Sequence, residues 1–236
     1  MRGRVVAVEG ASASGKSTAV LAVAERLGAR VVPEAFRRLR PSPSLEYARE
    51  AELLELERTL LEEDGRRFAE SLALARSGAL VLADTGFLGP ITYAVGLVEL
   101  ATASGRTVRA LLERARQLSA EGRWGLPDGT VYLRTAPHLQ YARARADPTG
   151  HPARLVARHF AVGEIERRLY EDRIGPLFGD RYREVSGDGG HDRVARDLAS
   201  AVRAVASGTA RSPTPERVFT VLERSAAAAA SARGNR

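Results

Sequence analysis

Two patterns of apolar residues alternate along the chain. Short continuous apolar runs, bounded by glycine, proline or charged residues, are typical of strands buried in a parallel sheet. Between these runs, apolar residues recur three and four positions apart, as on one face of a helix. The runs predict strands near residues 4–9, 30–33, 78–84 and 129–135, and the segment RYREVSGD predicts a fifth strand near 181–188.

The helical spacing predicts helices that connect these strands. They are expected from near Gly15, over 44–77 as one helix or two, over 88–121 with a break near Ser104, from Pro137, and over 190–207. Strands separated by helices form a parallel sheet with helices on both faces. The fold class is therefore predicted as α/β, with a five-stranded parallel sheet.

The last 29 residues differ from the rest in composition. The segment SGTARSPTPE is typical of a linker, PERVFTVLER of one short helix, and SAAAAASARGNR of a frayed, low-complexity end. The predicted organisation is one domain over residues 1–207, followed by a tail over 208–236. Removal of the tail is expected to leave a folded protein.

Composition excludes several classes of protein. The chain has no cysteine, which excludes disulfides and thiolate metal sites, and the N-terminus runs directly into an apolar strand-like stretch without a secretion signal. No apolar run reaches the roughly 18 residues of a membrane helix. We therefore expect a cytoplasmic protein without a membrane partner. A homodimer stays open.

The net charge of +7 does not by itself indicate nucleic-acid binding. Basic residues are interleaved with acidic residues along the predicted helices and do not form one stripe, and no nucleic-acid-binding motif is present. No specific nucleic-acid partner is expected.

The sequence GASASGKS carries the strongest chemical signal. It matches the phosphate-binding loop G-x-x-x-x-G-K-[ST], and it lies between a predicted strand and a predicted helix, as that loop requires. Its lysine is the only lysine among 36 basic residues. A compact ammonium group fits between the β- and γ-phosphates of a nucleotide, whereas a planar guanidinium is too wide. We expect ATP to bind the loop, with the Ser17 hydroxyl on Mg²⁺; the predicted binding residues are Gly10, Ala11, Ser12, Ala13, Ser14, Gly15, Lys16, Ser17 and Thr18.

Several segments resemble thymidylate kinases and deoxynucleoside kinases. VEGASASGKST is similar to their phosphate loop, VVPEAFRR to the segment after their second strand, SGALVLADTGFLGPITYAVG to the segment around their third strand, and LRTAPHLQYARAR to their fourth strand and arginine lid. The resemblance covers roughly residues 4–206. It implies a P-loop kinase fold with a small arginine-rich lid, over about 143–158, that closes on the nucleotide.

The resemblance also implies roles for individual residues. Glu34 is expected to accept the proton of the attacking hydroxyl, or else only to begin a helix. Asp84 is expected to hold Mg²⁺ or the acceptor, or else to cap the next helix. Tyr93 is expected beside the acceptor, or else in the core. Arg143 and Arg145 are the candidate lid arginines that stabilise the transferred phosphoryl group, with Arg154 and Arg158 as substitutes.

Two departures concern the acceptor side. Thr85 stands where both families have an arginine that contacts the substrate or the transferred phosphoryl group. Ala69 or Glu70 falls where a glutamine or arginine that reads the nucleobase is expected. The leading interpretation is a phosphotransferase that acts on a nucleoside-like or nucleotide-like acceptor. The alternatives are an antibiotic or metabolite kinase similar to chloramphenicol phosphotransferases, and an ATP-binding regulatory module without transfer activity.

Overall fold

The computed structural model describes residues 3–146 and 153–234. Five parallel strands form one sheet in the order β2-β3-β1-β4-β5, so the strand that leads into the phosphate loop is central. The predicted α/β class is confirmed. The strands are β1 (Arg4–Glu9), β2 (Arg30–Val32), β3 (Leu80–Asp84), β4 (Gly129–Arg134) and β5 (Tyr182–Ser186).

Helices connect the strands and cover both faces of the sheet. The segment 44–77 contains one long helix, and 88–121 is broken before Gly105, as the pattern predicted. A π-helical turn (Tyr170–Ile174) follows the seventh helix directly. The helices are α1 (Lys16–Leu27), α2 (Ala35–Arg38), α3 (Glu50–Arg76), α4 (Gly89–Glu99), α5 (Gly105–Ala120), α6 (Pro137–Ala146), α7 (Ala153–Leu169), α8 (Gly175–Phe178), α9 (His191–Ser207) and α10 (Pro215–Gly234).

The core lies in two layers because side chains of a strand alternate between the two faces of a sheet. In β1, Val6 and Val8 pack with α1 and α9, whereas Val5 and Ala7 pack with the larger group of helices that includes α3, α4 and α5. All strands run in the same direction, so the loops at their carboxyl ends meet at one edge of the sheet. None of the helices in the described part of the chain is long and apolar enough to cross a membrane.

The C-terminal segment is the main correction to the predicted organisation. We expected a short helix and a frayed end; instead, α10 extends over 20 residues and packs on the core. Its apolar residues are spaced as one helical face, and the alanine run has a high helix propensity. The buried residues of this face are Val218, Phe219, Leu222 and Ala226. Residues 235–236 lie outside the described residues, and the domain limits 1–207 stay a prediction.

Truncation after residue 208 is therefore expected to destabilise the protein, contrary to the expectation from composition. The Phe219 ring stacks on Trp124 at 5.4 Å, and both side chains are buried. We expect Phe219→Ala to lower the free energy of unfolding by about 3–5 kcal/mol, because it leaves a cavity in the core. Urea unfolding measures this change. Arg224→Ala, at an exposed position of the same helix, is the control and should stay within about 0.5 kcal/mol of wild type. A truncated chain with wild-type unfolding would contradict the role of α10.

Candidate active site

The phosphate loop connects β1 to α1 at the centre of the carboxyl edge. Gly10 has φ +146°, and a Cβ atom there would lie 2.5 Å from the Leu133 carbonyl oxygen. Gly15, directly before α1, has φ +91°. Both positions require glycine, one for space and conformation and the other for its left-handed backbone. The backbone N–H groups that begin α1 face the loop and form an anion-binding site.

Lys16 points back across the loop. Its Nζ atom donates hydrogen bonds to the carbonyl oxygens of Gly10, at 2.5 Å, and Ala11, at 3.0 Å. The ammonium group is thus held at the loop, where phosphate oxygens can replace the carbonyls. All the predicted loop residues line one large cavity, of about 1120 Å³, except Ala11, which is buried.

Ser17, which lines this cavity, lies beside Asp84. Asp84 ends β3 and is 4 % exposed, and its Oδ1 atom has no hydrogen-bond partner. Burial raises the pKa of Asp84, and hydrogen bonding from Ser17 opposes the rise. Asp84 does not cap α4, which begins only at Gly89. A hydroxyl group beside an unpaired carboxylate oxygen fits Mg²⁺, which prefers oxygen ligands and keeps several waters. Among the described residues, no cluster of three or more acidic or histidine side chains offers another metal site.

Glu34 lines the same cavity, two residues after the end of β2. Its Oε1 atom accepts a hydrogen bond of 2.7 Å from Arg37 Nε, which also lines the cavity. Its carboxylate makes no capping bond to α2. Oε1 is therefore held in place, and Oε2 is left to accept a hydrogen bond from a ligand.

The two candidate lid arginines differ. Arg143 lines the cavity and contacts the loop, since its guanidinium donates to the carbonyl oxygens of Ser14 at 2.6 Å and Gly187 at 3.0 Å. Arg145 is exposed and does not line the cavity, because it lies two residues further along α6 and so on another side of the helix. Residues 147–152 of the predicted lid lie outside the described residues, as does the side chain of Arg154. Arg158 contacts Leu45 and Tyr47 on the acceptor side, away from the loop.

The two aromatic residues near the predicted acceptor side also differ. Tyr93 lines the cavity and packs against the core, with its ring 5.4 Å from that of His159. Trp124 is buried and donates to the Phe87 carbonyl oxygen at 3.1 Å. Of these two residues, Tyr93 is therefore the one that can contact a ligand in the cavity.

Thr85, at the position of the missing arginine, has a left-handed backbone with φ +63°, which is rare for a β-branched residue. It lines the cavity, and its hydroxyl is buried without a hydrogen-bond partner. The strain coincides with the carboxyl edge, where strained backbone accompanies function.

Arg67 of α3 donates hydrogen bonds to the backbone at the ends of β2 and β3. This side chain is 1 % exposed and ion-paired with Asp64. Its five N–H groups match five acceptors, Asp64 and four carbonyl oxygens. The carbonyl distances are 2.6 Å to Pro33, 2.8 Å to Asp84, 2.6 Å to Thr85 and 3.3 Å to Gly86. Arg67 is thus structural and has no donor left for a phosphate group.

The two positions at which the resemblance expects a base-reading residue, Ala69 and Glu70, are not in the cavity. Glu70 pairs instead with Arg38. The residues of α3 that do line the cavity are Leu56, Glu57, Leu60, Asp64 and Arg67. The cavity therefore meets a different face of this helix from the one the alignment predicted.

Three carboxyl groups of α3 and α7 line the cavity, and we call them the acidic wall: Glu57 and Asp64, which are buried, and Glu166, which is half-buried. Burial raises the pKa of Glu57 well above its usual value. Burial likewise raises the pKa of Asp64 and of Glu166, each to about 7, despite Arg67 beside Asp64 and the Thr92 hydroxyl that donates to Glu166 at 2.7 Å.

Sequence reasoning missed the acidic wall, although a signal was present. Glu57 lies four residues from both Leu53 and Leu61, which are fully buried on one face of α3. Likewise, Glu166 lies four residues after buried Val162 and four before buried Tyr170. A charged residue inside an apolar helical stripe indicates a buried carboxylate.

The geometry defines a P-loop protein of the nucleoside and nucleotide kinase fold. The chain belongs to a family described as "AAA domain", whose model matches residues 5–144. No curated protein sequence matches the chain. A solved deoxyadenosine kinase from M. mycoides with bound dATP is similar in structure, with 14 % identity, a TM-score of 0.58, and coverage of 84 % of this chain and 99 % of that chain. A thymidylate kinase from Candida albicans has 17 % identity and a TM-score of 0.59, with 86 % and 92 % covered. The predicted resemblance is confirmed as a likeness of fold.

Proposed function

We propose that the chain is an ATP-dependent phosphotransferase, which moves the γ-phosphoryl group of Mg-ATP to a nucleoside-like small molecule. The observation that carries the proposal is that Lys16, Ser17 and Glu34 line one cavity, with Asp84 beside Ser17. The loop binds phosphates, and the carboxylate of Glu34 can bind an acceptor. These are the parts that phosphoryl transfer requires.

Each residue then has a defined task. Lys16 exchanges its two carbonyl bonds for phosphate oxygens. Ser17 and Asp84 would hold Mg²⁺, which neutralises charge on the phosphate oxygens. Glu34 Oε2 accepts the hydrogen bond of the acceptor hydroxyl and holds it in line. Arg143 reaches the loop from α6 and helps to exclude water from the transferred group.

The acceptor side favours a hydroxyl over a phosphate as the receiving group. An acceptor phosphate needs arginine donors. Of the arginines that line the cavity, Arg67 has no free donor, Arg143 contacts the loop and Arg37 is paired through Nε with Glu34, whereas three carboxyl groups form the acidic wall. This observation favours the second candidate function, a small-metabolite O-phosphotransferase.

Acceptor-stimulated ADP release tests the proposal. Purified protein with Mg-ATP is offered nucleosides, nucleoside monophosphates and hydroxylated antibiotics in turn, and phosphorylated products are identified by mass spectrometry. ATP binding without transfer to any acceptor would instead support a regulatory module.

Thymidine and its monophosphate are expected to be poor acceptors. Thr85 supplies no charge to a phosphate, and the helix face that meets the cavity carries no base-reading glutamine. We expect kcat/KM below about 10⁴ M⁻¹s⁻¹, the low end of the usual enzyme range. Steady-state kinetics measure it, and a higher value for either compound would show that another residue, such as Arg37, binds it.

A further inference from the structure

The acidic wall is not balanced by the cations around it. Asp64 is paired with Arg67, and Glu166 accepts a hydrogen bond from the Thr92 hydroxyl. Glu57 is 3 % exposed and lines the cavity, yet it makes no hydrogen bond or ion pair within the described residues. A buried carboxylate without a partner is costly, so a ligand is the natural source of the missing donor.

Arg158 is the cation whose charge lowers the pKa of Glu57, but its guanidinium contacts other groups. One of its Nη atoms donates to the Leu45 carbonyl oxygen at 2.7 Å, and its guanidinium lies 4.4 Å from the centre of the Tyr47 ring. Its charge lowers the pKa of Glu57 less than burial, Glu166 and Asp64 raise it. Arg158 therefore does not neutralise Glu57.

A separate observation indicates a polar ligand in the same cavity. Tyr132, on β4, is 2 % exposed and lines the cavity, and its hydroxyl has no hydrogen-bond partner. Buried hydroxyl groups normally have partners. An unpaired hydroxyl and an unpaired carboxylate that face one cavity are both satisfied by a ligand with polar hydrogens.

We propose that the phosphoryl acceptor carries a protonated amine that binds Glu57, with Glu166 beside it, while an acceptor hydroxyl is held at Glu34. This inference rests on the proposed phosphotransfer and specifies its substrate class as hydroxylated amines, such as amino sugars and aminonucleosides. The ammonium group supplies the charge and the donors that Glu57 lacks. An acceptor phosphate would instead meet carboxylates of its own sign.

The first experiment compares matched acceptors that differ only at the amine. ADP release is measured at pH 7.5 with Mg-ATP and a panel of pairs that includes 3′-amino-3′-deoxythymidine with thymidine, and glucosamine with glucose. We expect at least one amine member to have a kcat/KM at least tenfold above that of its neutral counterpart.

The outcomes separate this inference from the proposed function. Transfer only to the neutral members would overturn the proposal that the acceptor carries an amine, and would still support the proposed phosphotransferase activity. ATP binding without transfer to any member would overturn both.

The second experiment removes the charge of Glu57. Glu57→Gln should lower kcat/KM for the preferred amine about 30-fold or more, mainly through KM, and leave the neutral counterpart within a few-fold. Glu55→Gln, an exposed position on the same helix, is the matched control and should change neither value.

The same variant should be more stable than wild type, which a merely structural carboxylate would not allow. Asp64, Glu166, Arg158, Tyr47 and Tyr93 face Glu57, and its folded pKa is raised. A carboxyl with a raised folded pKa loses stability as pH rises above its unfolded pKa. The gain in Tm of Glu57→Gln should therefore grow from pH 5 to pH 8. A lower Tm at pH 8 together with an equal loss for amine and neutral acceptors would overturn the proposal.

Discussion

Replacement of Lys16 by alanine should abolish phosphoryl transfer while the protein stays folded. The ammonium group is the only side-chain cation inside the phosphate loop, and its two hydrogen bonds are to carbonyl oxygens of that loop. Removal of a preorganised charge from a site of developing charge costs about 10²–10³-fold in rate. A coupled ADP-release assay measures the loss, and circular dichroism checks the fold.

Two further variants make this test specific. Lys16→Arg keeps the charge but should be nearly as inactive, because a planar guanidinium is too wide for the loop. Arg26→Ala removes a cation from the exposed end of the same helix, where it meets Asp192 at 3.4 Å, and should retain activity. Wild-type turnover of Lys16→Ala would refute the loop as the transfer site.

Replacement of Glu34 by glutamine should lower kcat by about 10²–10⁴-fold and change ATP affinity only a few-fold. The carboxylate lines the same cavity as the loop, and Arg37 binds Oε1 at 2.7 Å, so on the proposed function Oε2 accepts from the acceptor hydroxyl. Nucleotide binding does not require this group. Pre-steady-state ADP formation and fluorescent-nucleotide titration measure the two quantities.

Glu25→Gln, on the exposed face of α1, is the control for charge removal. If Glu34→Gln retains kcat within a few-fold, Glu34 only begins α2. If ATP affinity falls in parallel with kcat, the residue binds the nucleotide and does not position the acceptor.

The parts of the molecule that were predictable from sequence are those with local causes. Strands β1, β3 and β4 are largely continuous apolar runs, and the loop is a contiguous motif whose glycines are required by its own backbone. Lys16, Ser17 and Asp84 follow strand ends, which parallel topology brings to one edge.

The parts that failed depend on contacts between distant segments. The face of α3 that meets the cavity is set by how the helix packs. The resemblance therefore placed the base-reading position at Ala69 or Glu70, whereas the cavity meets Glu57. Composition predicted a short helix and a frayed end where α10 forms. The buried face of α10 packs beside Trp124, about 95 residues earlier in the chain, and composition does not reveal such a contact. Arg145 does not line the cavity, because a lid motif in the sequence does not specify which side of α6 faces the loop.

Arg67 makes one side of the cavity rigid. Because its N–H groups are already bonded to the ends of β2 and β3, this side of the cavity is rigid before any acceptor binds. A preorganised wall loses little conformational entropy on binding, and it selects ligands by fit and not by adaptation.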